Sequence, residues 1–134
     1  MDNKKSYTIH AILSLVVGAL IYFLFRPHTL FLSWLVINAP LAHLSFPTDM
    51  VVRYYLPDAL WSYALCFSLY RLHLPSVRKA IFFSLGAIAF GCLWEGLQYF
   101  DYVPGTGDCL DCVAYGVGSV MALCIYFFIK RRRI

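Results

Sequence analysis

The stretch AIFFSLGAIAFGCLWEGLQYFDYVPGTGDCLDCVAYGVGSVMALCIYFFIKRRR, residues 80–133, decides the fold. It holds two apolar runs, about Ala80 to Phe100 and about Cys109 to Ile129, joined by Asp101-Tyr102-Val103-Pro104-Gly105-Thr106-Gly107-Asp108. A helix needs roughly 20 apolar residues to cross a bilayer core, and each run has that length. So short and turn-rich a connection forces the two helices antiparallel and adjacent. The closing run Lys130-Arg131-Arg132-Arg133 reads as a stop-transfer anchor that attracts anionic lipid, at about 1 kcal/mol per residue near the surface.

Working outward, two more spans are expected, about Thr8 to Phe25 and about Pro57 to Leu72. The first lacks a small-residue cleavage site, so it reads as retained and not as a signal peptide. Between them Thr29 to Phe46 is apolar but broken by Asn38, Pro40 and His43, and is expected to be interfacial or re-entrant. The composition agrees: of 134 residues 61% are hydrophobic and 13% charged, with mean hydropathy +0.70. The expected fold is therefore all-α and integral to the membrane, a four-helix transmembrane bundle forming a single domain over residues 1–134.

Charge orients it. With four spans and an internal amino terminus, Lys4, Lys5, Arg71, Arg78, Lys79, Lys130, Arg131, Arg132 and Arg133 are cytoplasmic and Arg26 and Arg53 external, 9 against 2. Five spans with an external amino terminus give 8 against 3, so four spans fit better. Both versions put residues 47–58 and 101–110 outside, where most carboxylates lie. The net charge of +4 comes from these flanks and gives no reason to expect nucleic acid. The 18% aromatic content reads mainly as interfacial belt.

Glu95 sits within an apolar helix, where an ionisable group costs roughly 2.5 kcal/mol or more at mid-span and usually marks a function or a partner. Ser84, Ala87, Gly91, Glu95 and Gln98 recur on one face, and Asp111, Ala114, Tyr115, Gly118 and Ala122 form the matching stripe. Packing one on the other brings Glu95 and Asp111 together, with Gln98, Tyr115, Asp58 and Arg53 as neighbours. The faces equally suit a homodimer. Structural roles compete: Asp108 suits an N-cap, and Asp58 after Pro57 suits the positive end of a helix dipole. The candidate ligand-binding residues are thus Arg53, Asp58, Glu95, Gln98, Asp108, Asp111 and Tyr115.

Cys109-Leu110-Asp111-Cys112 places a CxxC pair at the outer start of the last span, where oxidising conditions would allow a disulfide. Against a redox role, Cys66, Cys92 and Cys124 show cysteine used as a small apolar residue. Two Cys and the distant His43 lack structural-zinc spacing, so no metal and no cofactor is expected.

Val52-Arg53-Tyr54-Tyr55-Leu56-Pro57-Asp58-Ala59-Leu60-Trp61, Glu95-Gly96-Leu97-Gln98, Pro104-Gly105-Thr106 and Asp111-Cys112-Val113-Ala114-Tyr115-Gly116-Val117-Gly118 resemble the VanZ-like family. The pattern lies nearest a branch of short bacterial membrane proteins and covers about residues 52–125. It departs from the common family form at Trp61 or Ser62 in place of a His, at Thr106 in place of an Arg, and at Tyr115 in place of an Asn. The resemblance implies a small helical protein of the bacterial inner membrane whose Asp, Glu, Gln and Asp face one site, with a link to the envelope and glycopeptide (teicoplanin) resistance.

Three functions are compatible with these features. An outward carboxylate-rich site would bind or remodel the head group of a membrane lipid or lipid-linked envelope precursor, Arg53 serving a phosphate and the carboxylates an amine or amide. A small exporter would exchange lipophilic cations for protons, although the polar groups gather at one face and no inverted repeat is visible. A thiol-disulfide oxidoreductase would use Cys109 and Cys112. The first is preferred.

Overall fold

Pro57 and Asp58 open a helix as a fixed φ and a carboxylate at the amino end should. At the far end of this helix of 18 residues, Leu74 adopts left-handed geometry (φ 42°) and its N–H closes on the Tyr70 carbonyl at 2.9 Å, ending the helix before Pro75. The computed structural model describes residues 3–25 and 51–132, and among these it contains no strand. Four helices follow in order: α1 (Asn3–Phe25), α2 (Leu56–His73), α3 (Val77–Tyr99) and α4 (Cys109–Arg131). A single π-helical turn, Val51–Tyr55, leads into α2. The expected interfacial segment at 29–46 lies outside the described residues.

Three helices, over Asn3–Tyr22, Val77–Tyr99 and Cys109–Arg131, are long and apolar enough to cross a membrane. Their outer faces carry large apolar side chains: Leu13, Phe82, Leu93 and Val113 are each about 60% exposed or more. α1 begins at Asn3, ahead of the expected Thr8, because Lys4 and Lys5 interrupt the hydrophobic pattern without interrupting the backbone ladder; Thr8 Oγ1 donates to the Lys4 carbonyl at 2.9 Å.

The remaining helix, α2, is the centre of the bundle and packs against all three others. Ser62, Cys66, Phe67 and Tyr70 are fully buried on it. Its contacts combine aromatic packing with interhelical hydrogen bonds. Ser62 Oγ donates to the Tyr115 carbonyl (2.9 Å) and lies 2.6 Å from Ser119 Oγ. A hydroxyl has one proton, so Ser119 must be the donor to Ser62, and Ser119 in turn accepts from Cys66 Sγ at 3.6 Å. Tyr70 pairs with Ser84 of α3 at 2.5 Å, and Tyr7, Phe67, Tyr70 and Tyr126 build an aromatic cluster from α1, α2 and α4.

The expected stripe-on-stripe packing of α3 and α4 is found in part. The Tyr115 ring fills the space over Gly91, where any side chain would collide with it. Gly118, however, meets α2: a methyl group there would run into the Ala59 carbonyl. Ser84 likewise turns to Tyr70 of α2. α4 therefore divides its small-residue surface between two neighbours, because the central α2 offers a backbone close enough to require glycine.

The antiparallel order sorts charge by end. Asp58, Glu95, Asp101, Asp108, Asp111 and Arg53 belong to the end holding the α3–α4 loop, where Tyr55 OH donates to Asp108 Oδ2 at 3.4 Å. Lys4, Lys5, Arg71, Arg78, Lys79, Lys130, Arg131 and Arg132 belong to the other, where Arg71 Nε donates to Thr8 Oγ1 at 3.1 Å.

Candidate functional site

At the loop end Glu95 is only 6% exposed, and its carboxylate is held from several directions. Tyr115 OH donates to Oε1 at 2.8 Å and the backbone N–H of Asp108 donates to Oε2 at 3.1 Å. The Gln98 amide, oriented to satisfy both of its ends, donates to Glu95 Oε2 at 3.2 Å and accepts from Trp94 Nε1 at 3.0 Å. Three donors on its two oxygens hold the carboxylate in one orientation. Glu95 thereby ties α3 to α4 and to the loop between them.

The loop lies back on the last turns of α3. Gly107 rests on that helix so closely that a Cβ would collide with the Glu95 carbonyl and the Tyr99 backbone. Gly105, at φ 145°, lies against the Gln98 amide in a conformation that L side chains rarely adopt. Asp108 then caps α4, its Oδ1 accepting from Leu110 N–H at 2.9 Å. Tyr55 is tied to its other oxygen; loss of hydration, then the Asp108 charge and hydrogen bond, raise the Tyr55 pKa above its ordinary value.

Beside this clamp opens a cleft of about 630 Å³ to which every helix contributes. Tyr22 comes from α1, Asp58 and Trp61 from α2, Phe90, Gly91 and Trp94 from α3, and Tyr115 from α4. Trp61 lies nearly parallel to Phe90, with centroids 5.8 Å apart, and edge-on to Tyr115 at 6.0 Å. Tyr115 thus joins the two features: its hydroxyl serves Glu95 and its ring walls the cleft.

The candidate residues therefore have distinct places. Glu95, Gln98, Asp108 and Tyr115 form one bonded group. Asp58 lines the adjoining cleft, and Asp58, Glu95 and Asp111 all act electrostatically on the Tyr115 hydroxyl. Asp111 lies in the first turn of α4, and Arg53 is exposed in the π-helical turn. Cys109 and Cys112 are free thiols, Cys109 exposed and Cys112 half-buried beside Cys92 of α3. Among the described residues no group of three or more His, Cys, Asp or Glu could hold a metal ion.

Sequence reasoning missed Tyr22, Trp61, Phe90 and Trp94 as site residues. Phe90 and Trp94 are four apart, one step around α3 from the stripe that ends in Glu95, and that spacing was the available signal. Aromatic residues near a membrane surface are common enough to hide it.

No family model, no curated protein and no solved structure matches the chain.

Proposed function

We propose that the protein spans the bacterial inner membrane four times, with both termini cytoplasmic and the loop end outside. At that end it binds or remodels the polar head group of a membrane lipid or a lipid-linked envelope precursor. The observation that carries this reading is the cleft reaching from Asp58 down between five aromatic rings, beside a loop pinned by the Glu95 carboxylate. Polar groups at the rim and apolar walls below match an amphiphile with its head outward. The segregation of basic residues to the opposite end supports the orientation. The envelope context follows from the VanZ-like motifs at Asp58, Glu95, Gln98 and Asp111.

The Glu95 clamp has a defined part in such a site. It fixes Tyr115 against Gly91 and sets the loop on α3, so the cleft keeps its shape without a ligand. Native mass spectrometry of the protein extracted in mild detergent tests the reading. A retained lipid or prenyl-phosphate mass, reduced in Trp61→Ala, is expected. Wild-type protein that carries no amphiphile, even after incubation with total membrane lipid, would reject it.

A further inference from the structure

We propose that the cleft is an organic-cation site that takes an ammonium group, a methylated one in preference, presented by a lipid head group or by a free amine. This rests on the head-group reading above and names the chemistry of the ligand. Aromatic faces are electron-rich and attract cations within about 6 Å of the ring centroid, and enclosure by several rings favours a large, weakly hydrated cation over a small one. Tyr22, Trp61, Phe90, Trp94 and Tyr115 supply five rings from four helices around one space. Trp61 and Phe90 are inclined at 22° and Trp61 and Tyr115 at 64°, so the rings present walls in more than one direction.

Charge selects the same ligand. Asp58 is the charged residue among the described residues of the lining, and none of these is basic, so a phosphate would meet a carboxylate and an ammonium would be complemented. Arg53, the cation of this end among the described residues, is exposed in the preceding turn and lies outside the lining. The position is suited to an amphiphile: Asp58 stands in the first turn of α2, with Trp61 three residues deeper. The glycine at position 91 keeps the Tyr115 ring seated in the wall.

Aromatic residues that served only to anchor helices at a membrane surface would not discriminate ligand charge. Saturable changes in tryptophan fluorescence of the purified full chain in non-ionic detergent provide the test. The probes are 2-(dodecyloxy)ethyltrimethylammonium, its uncharged isostere dodecyl 3,3-dimethylbutyl ether, dodecyl phosphate and tetramethylammonium. The trimethylammonium amphiphile is expected to bind at least about tenfold more tightly than the isostere. Asp58→Asn and Phe90→Leu should each weaken it several-fold, leave the isostere unaffected and preserve helix content by circular dichroism. Saturable binding of tetramethylammonium would assign a free amine as sufficient, whereas binding of the amphiphile alone would assign a lipid. Equal affinity for ammonium and isostere, or tighter binding of the phosphate, overturns the cation assignment and leaves the head-group reading standing. Failure of every amphiphile to bind overturns both.

Discussion

Replacing Glu95 separates the contributions of its partners. Glu95→Gln keeps one oxygen for Tyr115 but turns an NH2 toward the Asp108 N–H, so a half-buried donor loses its acceptor at a cost of about 1–3 kcal/mol. Tyr115→Phe removes one donor, keeps the ring over Gly91, and should cost about 1 kcal/mol. Glu95→Ala strands the donors together and should be the most destabilising. Thermal unfolding in detergent should give the order Tyr115→Phe, Glu95→Gln, Glu95→Ala, and a Tyr115→Phe variant less stable than Glu95→Gln would contradict the clamp. The importance of Glu95 was legible because a carboxylate in an apolar helix is costly, and Gln98 followed from helical spacing. Its loop partner was not legible, since the donor is a backbone N–H and any residue but proline at 108 could supply one.

Among elements, α4 offers a comparison between two glycines. A methyl at Gly118 meets the Ala59 carbonyl of α2, while one at Gly116 meets nothing within 4 Å. Gly118→Ala should therefore destabilise by about 1–3 kcal/mol, as overpacking does. Gly116→Ala should be neutral or stabilise by up to about 1 kcal/mol through helix propensity. Equal melting temperatures for the two would deny the close α2–α4 approach. The same crossing shows what a stripe of small residues conveys. Spacing placed Gly91, Ala114, Tyr115 and Gly118 on helix faces, but three helices compete for those faces, and side-chain volume alone does not say which partner wins. The loop was better specified: Gly105, Gly107 and Asp108 mark a turn and a cap from sequence, and Gly107→Ala should lift the loop from α3. That change is measurable as faster hydrogen exchange at the Asp108 amide.

For the whole molecule, the four-span reading puts both ends of the chain in the cytoplasm. A reporter fused after Ile134 that is active only outside the cytoplasm should be silent, and one inserted at Thr106 should be active; the opposite pair of results would invert the bundle. That reading rests on the charged flanks, whose place is fixed by sequence position alone. The central place of α2 was not legible, because it depends on which faces meet. Phe67 and Tyr70 look no more buried in the sequence than Phe82 or Phe90, yet Phe67 and Tyr70 have no exposed surface while Phe82 is 71% exposed.

Synthesis runs from the amino terminus, so a ribosome delivers α2 before either helix that completes its hydrogen bonds exists. Ser62 and Cys66 wait for Ser119 and the Tyr115 carbonyl, and Tyr70 waits for Ser84. Until then α2 carries the Ser62 and Tyr70 hydroxyls ahead of these partners, and among the described helices α1 is the companion already made. On the four-span reading, the entry of α2 into the lipid would be a joint event with α3 and α4, completed late in translation. Chains that end at Leu74 and have been released from the ribosome should leave α2 open to protease, and chains that end at Arg132 should protect it.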